Sequence, residues 1–133
     1  MEIVKQLAIF LENKPGMLLW VSRSLSEHSI NIEAISITDT VDHAIVRLVL
    51  DKPEEAIHVL GDLGLLVVDN EMIKISLPNT PGVLANFCQK LIDSGSRIEY
   101  AYGSSTVDCP EVNLYVRVMD TNKVIKKLKK FKF

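Results

Sequence analysis

The chain has 133 residues, 47% hydrophobic and 24% charged, which suits the packed core of one domain or of two very small ones. A formal net charge of −2 gives no general attraction to nucleic acid or anionic membrane, and no apolar run is long enough to span a bilayer. Two cysteines, Cys88 and Cys109, and three scattered histidines, His28, His43 and His58, argue against a disulfide scaffold and against a metal site.

In chain order, residues 3–11, "IVKQLAIFL", read as a strand buried on both faces. They lack a signal peptide's basic region and cleavage site, so a cytoplasmic protein is expected. "ENKPG" breaks the strand. Pro15 suits the first turn of a helix running to about Glu27, with Leu18, Val21, Leu25 and His28 on its apolar stripe. Residues 28–38 and 43–51 read as strands around the turn "DTVD". Pro53 opens a second helix, with Glu54 and Glu55 at its positive end. "LLVVD" is a short fourth strand.

The order then repeats. "EMIKISL" is a strand, and "TPGVLANFCQKLIDSG" a helix with Thr80 as N-cap and Pro81 at the first position. Cys88 falls on the buried face of that helix. "SRIEYAYGS" and "EVNLYVRVM" are strands, and "TNKVIKKLKKF" is the last helix. A fourth strand would begin after Phe133, so that edge is empty, filled by "FKF", or filled from elsewhere.

Residues 9–33 aligned without gaps on 75–99 give nine identities in 25 positions, against roughly one or two expected from average residue usage. Among them are Asn13/Asn79, Pro15/Pro81, Gly16/Gly82 and Leu18/Leu84. The chain is a duplication, divided here into repeats 1–69 and 70–133. Each reads β-α-β-β-α-β, the ferredoxin-like α+β unit of four antiparallel strands with two helices on one face. A unit of this size is marginal alone, so the two should pack together, side by side or face to face.

The twice-used Asn-x-Pro-Gly presents a helix's first N–H groups, which lack intrahelical partners and carry partial positive charge. A carboxylate or phosphate suits them. Gly16 and Gly82 leave the backbone open to a ligand, and Asn13 and Asn79 offer a donor and an acceptor. The same letters are also ordinary turn vocabulary, so binding and punctuation both stand at this point.

"QLAIFLENKPGMLLWVSRSLSEHSINIEAISITDT" resembles the start of an ACT domain, a small regulatory module that binds amino acids, through its strand, N-x-P-G-x-L, helix and "INI" strand. "LPNTPGVLANFCQKLIDSGSRIEYAYG" resembles a second copy. The whole chain is similar to stand-alone tandem ACT proteins. That resemblance implies units joined side by side in one extended antiparallel sheet, with small ligands at the seam. One site would use Asn13, Pro15, Gly16, Met17 and Leu18, facing Ile98 and Glu99. The other would use Asn79, Pro81, Gly82, Val83 and Leu84, facing Asn31 and Ile32. The implied partners are an amino acid, a second copy in a dimer and a regulated enzyme, with no cofactor.

The repeats differ before the proline. Thr80 would cap its own helix and satisfy one free donor, whereas Lys14 cannot, so the loop at 12–18 is expected to be the stronger site. Arg97 also replaces Asn31 in the second "INI" position. No catalytic motif is present, so no enzyme is expected. Two alternatives remain: a ligand-free interaction module, and a nucleic-acid binder through Tyr100, Tyr102 and the lysine-rich tail at 123–132. In the tail, Val124, Ile125, Leu128 and Phe131 fall at helical spacing, which favours a solvated lysine face on a core helix.

Overall fold

A computed structural model describes residues 1–133 and gives an α+β chain of six strands and four helices. It divides into two compact units: Lys5–Asn70, and Met1–Val4 together with Glu71–Phe133.

The unit Lys5–Asn70 holds most of β1 (Glu2–Glu12), then α1 (Met17–Glu27), β2 (Ile32–Asp39), β3 (His43–Leu50) and α2 (Pro53–Asp62), and the start of β4 (Val67–Pro78). Its strands lie in the ferredoxin-like order β2-β3-β1-β4. β1 pairs antiparallel with β3, from Gln6 opposite Val49 to Glu12 opposite His43. Alternation sends Leu7, Ile9 and Leu11 to one face, with Val46, Leu48 and Leu50 beside them. Val21 and Leu25 of α1, and Ala56 and Leu60 of α2, close over that face. α2 begins as expected, with Pro53 at its start and Glu54 and Glu55 in its first turn. Lys5 donates to Glu54 and lies 3.5 Å from Asp69. The bond to Glu54 chiefly holds the ammonium above its ordinary pKa, against desolvation.

The second unit contains the rest of β4, α3 (Val83–Asp93), β5 (Tyr100–Ser104), β6 (Glu111–Arg117) and α4 (Thr121–Leu128). Ile73, Ile75, Leu77, Phe87, Leu91, Val116, Val124 and Leu128 form its core. Asp120 caps α4 by accepting from the Lys123 N–H at 3.0 Å. Here the order is β5-β6-β4, with the first residues of β1 on β4's other side. Met1–Val4 thus stands where this unit's fourth strand belongs. "FKF" is not a strand; instead Phe133 packs edge-on against Phe87, with ring centroids 5.4 Å apart.

Five expectations are corrected. The last three residues of "LLVVD" run on through "EMIKISL" as one twelve-residue strand, β4, with Leu65 and Leu66 outside it. β5 starts only at Tyr100, leaving Ser96, Arg97, Ile98 and Glu99 outside it. Both loop-proximal helices start two residues late, at Met17 and Val83. The α1 stripe is Met17, Val21 and Leu25, spaced by four, so Leu18 turns outward and His28 is exposed. Cys88 is half-buried rather than buried.

Candidate functional site

The repeated phrase folds into the same turn twice. A proline ring fixes φ near the value a type II turn needs at its second residue, and glycine supplies the positive φ needed at its third. Gly16 has φ 85° and ψ −3°, and Gly82 has φ 90° and ψ −16°. Each glycine is the N-cap of its helix, and neither cap has a side-chain hydrogen bond. Pro15 and Pro81 therefore precede the helices instead of opening them. Thr80 does not cap α3, which removes the reason first given for ranking the two loops. A Cβ built on either glycine meets nothing within 4 Å. Backbone conformation, not crowding, is what requires glycine here.

A different contrast takes the place of the threonine cap. In the second loop the Val83 N–H donates to the Thr80 carbonyl at 3.4 Å, closing the turn. No such bond forms in the first loop, which leaves the Met17 N–H among the free donors at the start of α1.

The asparagines anchor these turns. Asn13 Nδ2 donates to Asp39 Oδ1 at 2.8 Å, tying the loop to the end of β2. Asn79 Nδ2 donates to the carbonyls of Thr106 and Cys109 at 3.1 and 3.0 Å, and its N–H donates to the Pro110 carbonyl. An ammonium only donates, so any ligand ammonium would meet Oδ1, the acceptor of either amide.

A cavity of about 510 Å³ opens beside the first loop. Glu12, Lys14, Met17, Trp20 and His43 line it with residues 63–66. Lys14 Nζ lies 3.3 Å from Glu12, both well exposed. A smaller cavity of about 390 Å³ lies beside the second loop, lined by Asn79, Thr80 and Leu84 against Gly103–Ser105 and the apolar Leu77, Val112 and Leu114. Met17 thus joins the first cavity, and Asn79 and Leu84 the second. Asn13, Pro15, Gly16 and Leu18 are exposed outside the first; Pro81 and Gly82 are exposed outside the second, while Val83 packs on its core. Leu18 and Leu84, identical between the repeats, are 39% and 54% exposed.

The strand residues expected to face the loops are engaged within their own units. Asn31 N–H donates to Asp51 Oδ1 at 2.9 Å, and Ile32 packs on the first core. Glu99 N–H donates to the Arg117 carbonyl, and its carboxylate lies 3.6 Å from Arg117 Nε. Ile98 packs on the second core. Trp20, His43 and residues 63–66 were not foreseen around the first loop. His43's position opposite Glu12 on β3 was the available signal, through hairpin register.

Tyr102 stacks on Tyr115, with centroids 5.6 Å apart and planes 20° off parallel. No group of His, Cys, Asp and Glu is arranged to hold a metal, and no helix is long and apolar enough to cross a membrane.

Comparison with known families matches residues 1–129 to the ACT domain pair. A solved protein from Bacteroides thetaiotaomicron is 35% identical, covering 96% of this chain and 88% of its own, with a TM-score of 0.90. Regulatory subunits of aspartate kinase share the fold at 18% identity. The one from Thermus thermophilus has a TM-score of 0.71, covering 97% of this chain and 94% of its own. The one from Thermus flavus has a TM-score of 0.64, covering 97% and 93%. No curated protein matches the chain.

Proposed function

This chain belongs to the ACT domain family as a pair of such domains, and from that premise we propose that it is a non-catalytic sensor of a small amino acid. The loop at 12–18 is its principal site. The carrying observation is the open turn at Gly16, which presents the Met17 N–H beside a cavity holding Lys14 and Trp20. A ligand carboxylate would take the N–H groups of residues 16–18, with Lys14 adding positive charge. Its ammonium would meet Asn13 Oδ1. Asn79, Pro81, Gly82, Val83 and Leu84 form the weaker counterpart, because the Thr80 carbonyl already uses one donor.

Support also comes from Leu18 and Leu84. Duplicated leucines that stay exposed are not kept by the core, so a bound side chain or a neighbouring ACT unit is their proposed partner. Asn31, Ile32, Ile98 and Glu99, at or just before the starts of β2 and β5, are the residues such a unit would present. The response passes to a partner enzyme or to assembly with a second copy, as the regulatory subunits of similar fold suggest. Binding shifts such an equilibrium only by its differential affinity for the two states.

The test is a thermal-shift screen with the twenty amino acids, followed by calorimetry. A ligand at about 100 times its Kd stabilises the native state by about 2.7 kcal/mol. The shift is expected to fall in Leu18→Asp more than in Leu84→Asp. Glycine variants are poor probes, because the left-handed turn would strain whatever they bind. The absence of a shift with every amino acid would overturn the reading, and a larger loss from Leu84→Asp would overturn the ranking. In the first case the exposed Leu18, Leu19 and Trp20 on α1 favour a ligand-free protein-interaction module.

A further inference from the structure

Charge is divided unevenly along this chain. Of its 17 acidic and 15 basic residues, the unit Lys5–Asn70 carries ten and five, a net of −5. The unit formed by Met1–Val4 and Glu71–Phe133 carries seven and ten, a net of +3. The positive excess converges on one place. A cavity of about 690 Å³ at the ends of α3 and α4 is lined by Lys90, Lys123, Lys126, Lys127 and Lys130, with Asp93 as its one acid. Leu128 and Phe131 add apolar wall.

A solvated lysine face accounts for part of this set. Lys127 Nζ donates to the Ser94 carbonyl at 2.8 Å, satisfying the end of α3. Lys90 and Lys130 hold their ammonium groups 4.8 and 5.2 Å from the centre of the Phe131 ring. Lys126 and Lys127 in the last turn of α4 suit its dipole.

The rest is unexplained by folding. None of the five lysines forms an ion pair, although acids outnumber bases in the chain. Asp93 already accepts from Gln89 Nε2 at 2.9 Å. Lys123 stands in the first turn of α4, where the helix dipole disfavours a cation. Lys123 and Lys127 are like charges four apart within α4, a spacing that destabilises a helix.

We propose that this α3–α4 cleft binds a small anion carrying two or more phosphate groups. Lysine ammonium groups act as compact point charges with three donors each, which suits phosphate oxygens. Five of them around one cavity exceed what a single carboxylate or orthophosphate can neutralise. The cleft lies wholly in the second unit, shares no residue with the loop at 12–18, and does not depend on the amino-acid reading.

The experiment is calorimetry on the full chain with inorganic tripolyphosphate, adenosine triphosphate and orthophosphate, at low and moderate salt. Tripolyphosphate should bind, orthophosphate much more weakly, and salt should weaken both. Equal affinity for the nucleotide assigns the site to the phosphate chain, and tighter nucleotide binding adds a stacking role for Phe131. Lys123→Gln with Lys126→Gln, both exposed positions, should weaken tripolyphosphate about tenfold or more, since charge-assisted bonds are the strong ones. Leu18→Asp should leave that affinity unchanged. No binding of either polyphosphate at low salt, or binding indifferent to the lysine pair, overturns the proposal. Affinity for a single-stranded oligonucleotide that rises with length and exceeds that for tripolyphosphate overturns it in favour of a nucleic-acid surface. An unchanged melting temperature of the double variant without ligand confirms that the site, not the fold, was altered.

Discussion

The loops at Asn13–Gly16 and Asn79–Gly82 share three residues and one backbone shape, yet they hold different neighbours. Asn13 reaches a carboxylate, Asp39, by a single bond. Asn79 reaches two carbonyls in the β5–β6 turn and is further fixed through its own N–H. The second turn is closed by the Thr80 carbonyl and the first is open. Identical letters therefore secure the turn, while what surrounds the turn decides how much of it is left for a ligand. Duplication copied a scaffold, and the copies have since been assigned to different degrees of closure.

The helix that follows each loop offers the largest contrast. Val21 and Phe87 are counterparts by alignment, and both are fully buried. Phe87→Ala should cost about 3–5 kcal/mol, and Val21→Ala roughly 2 kcal/mol, in urea unfolding. Phe87 also loses its edge-on contact with Phe133. Equal losses would mean that the second core closes around the gap more readily than the first.

The glycines come next, and here the two repeats should behave alike. Gly16→Ala and Gly82→Ala should each cost about 1–2 kcal/mol, because both sites are left-handed and neither is crowded. Asparagine should be tolerated better than alanine at both, since its side chain visits that region more readily. A neutral Gly16→Ala beside a costly Gly82→Ala would show that the open loop relaxes where the closed one cannot.

The smallest effects should separate the asparagines. Asn79→Ala, losing two side-chain bonds, should cost about 1–2 kcal/mol, and Asn13→Ala about 0.5–1 kcal/mol, since single bonds net about that much. Equal costs would place the two anchors on the same footing and remove the contrast.

Much of this was legible in the chain. The β-rich, largely apolar run "IVKQLAIFL", Pro53 before two glutamates and the nine shared letters yield the element order of both repeats. The turn at Gly16 was misread because a proline followed by glycine suits both a helix's first turn and a type II turn, and the two differ in one φ angle. Leu18 was placed in the core because Met17 and Leu18 are both apolar, and only the true start of α1 selects between them. The pairing of Asn13 with Asp39 and of Asn79 with Thr106 spans 26 and 27 residues, beyond any local signal. The place of Met1–Val4 is farther still from the residues it joins.

That last feature bears on how the gene can change. Each of β1 and β4 begins in one compact unit and ends in the other. A fragment of residues 70–133 would lack its fourth strand, and a fragment of residues 1–69 would carry four leading residues with nothing to pair. The two repeats arose as copies of one another, but neither is now a portable cassette. A recombination event that cut between them would leave the second repeat's sheet a strand short, so the second copy does not travel without the first.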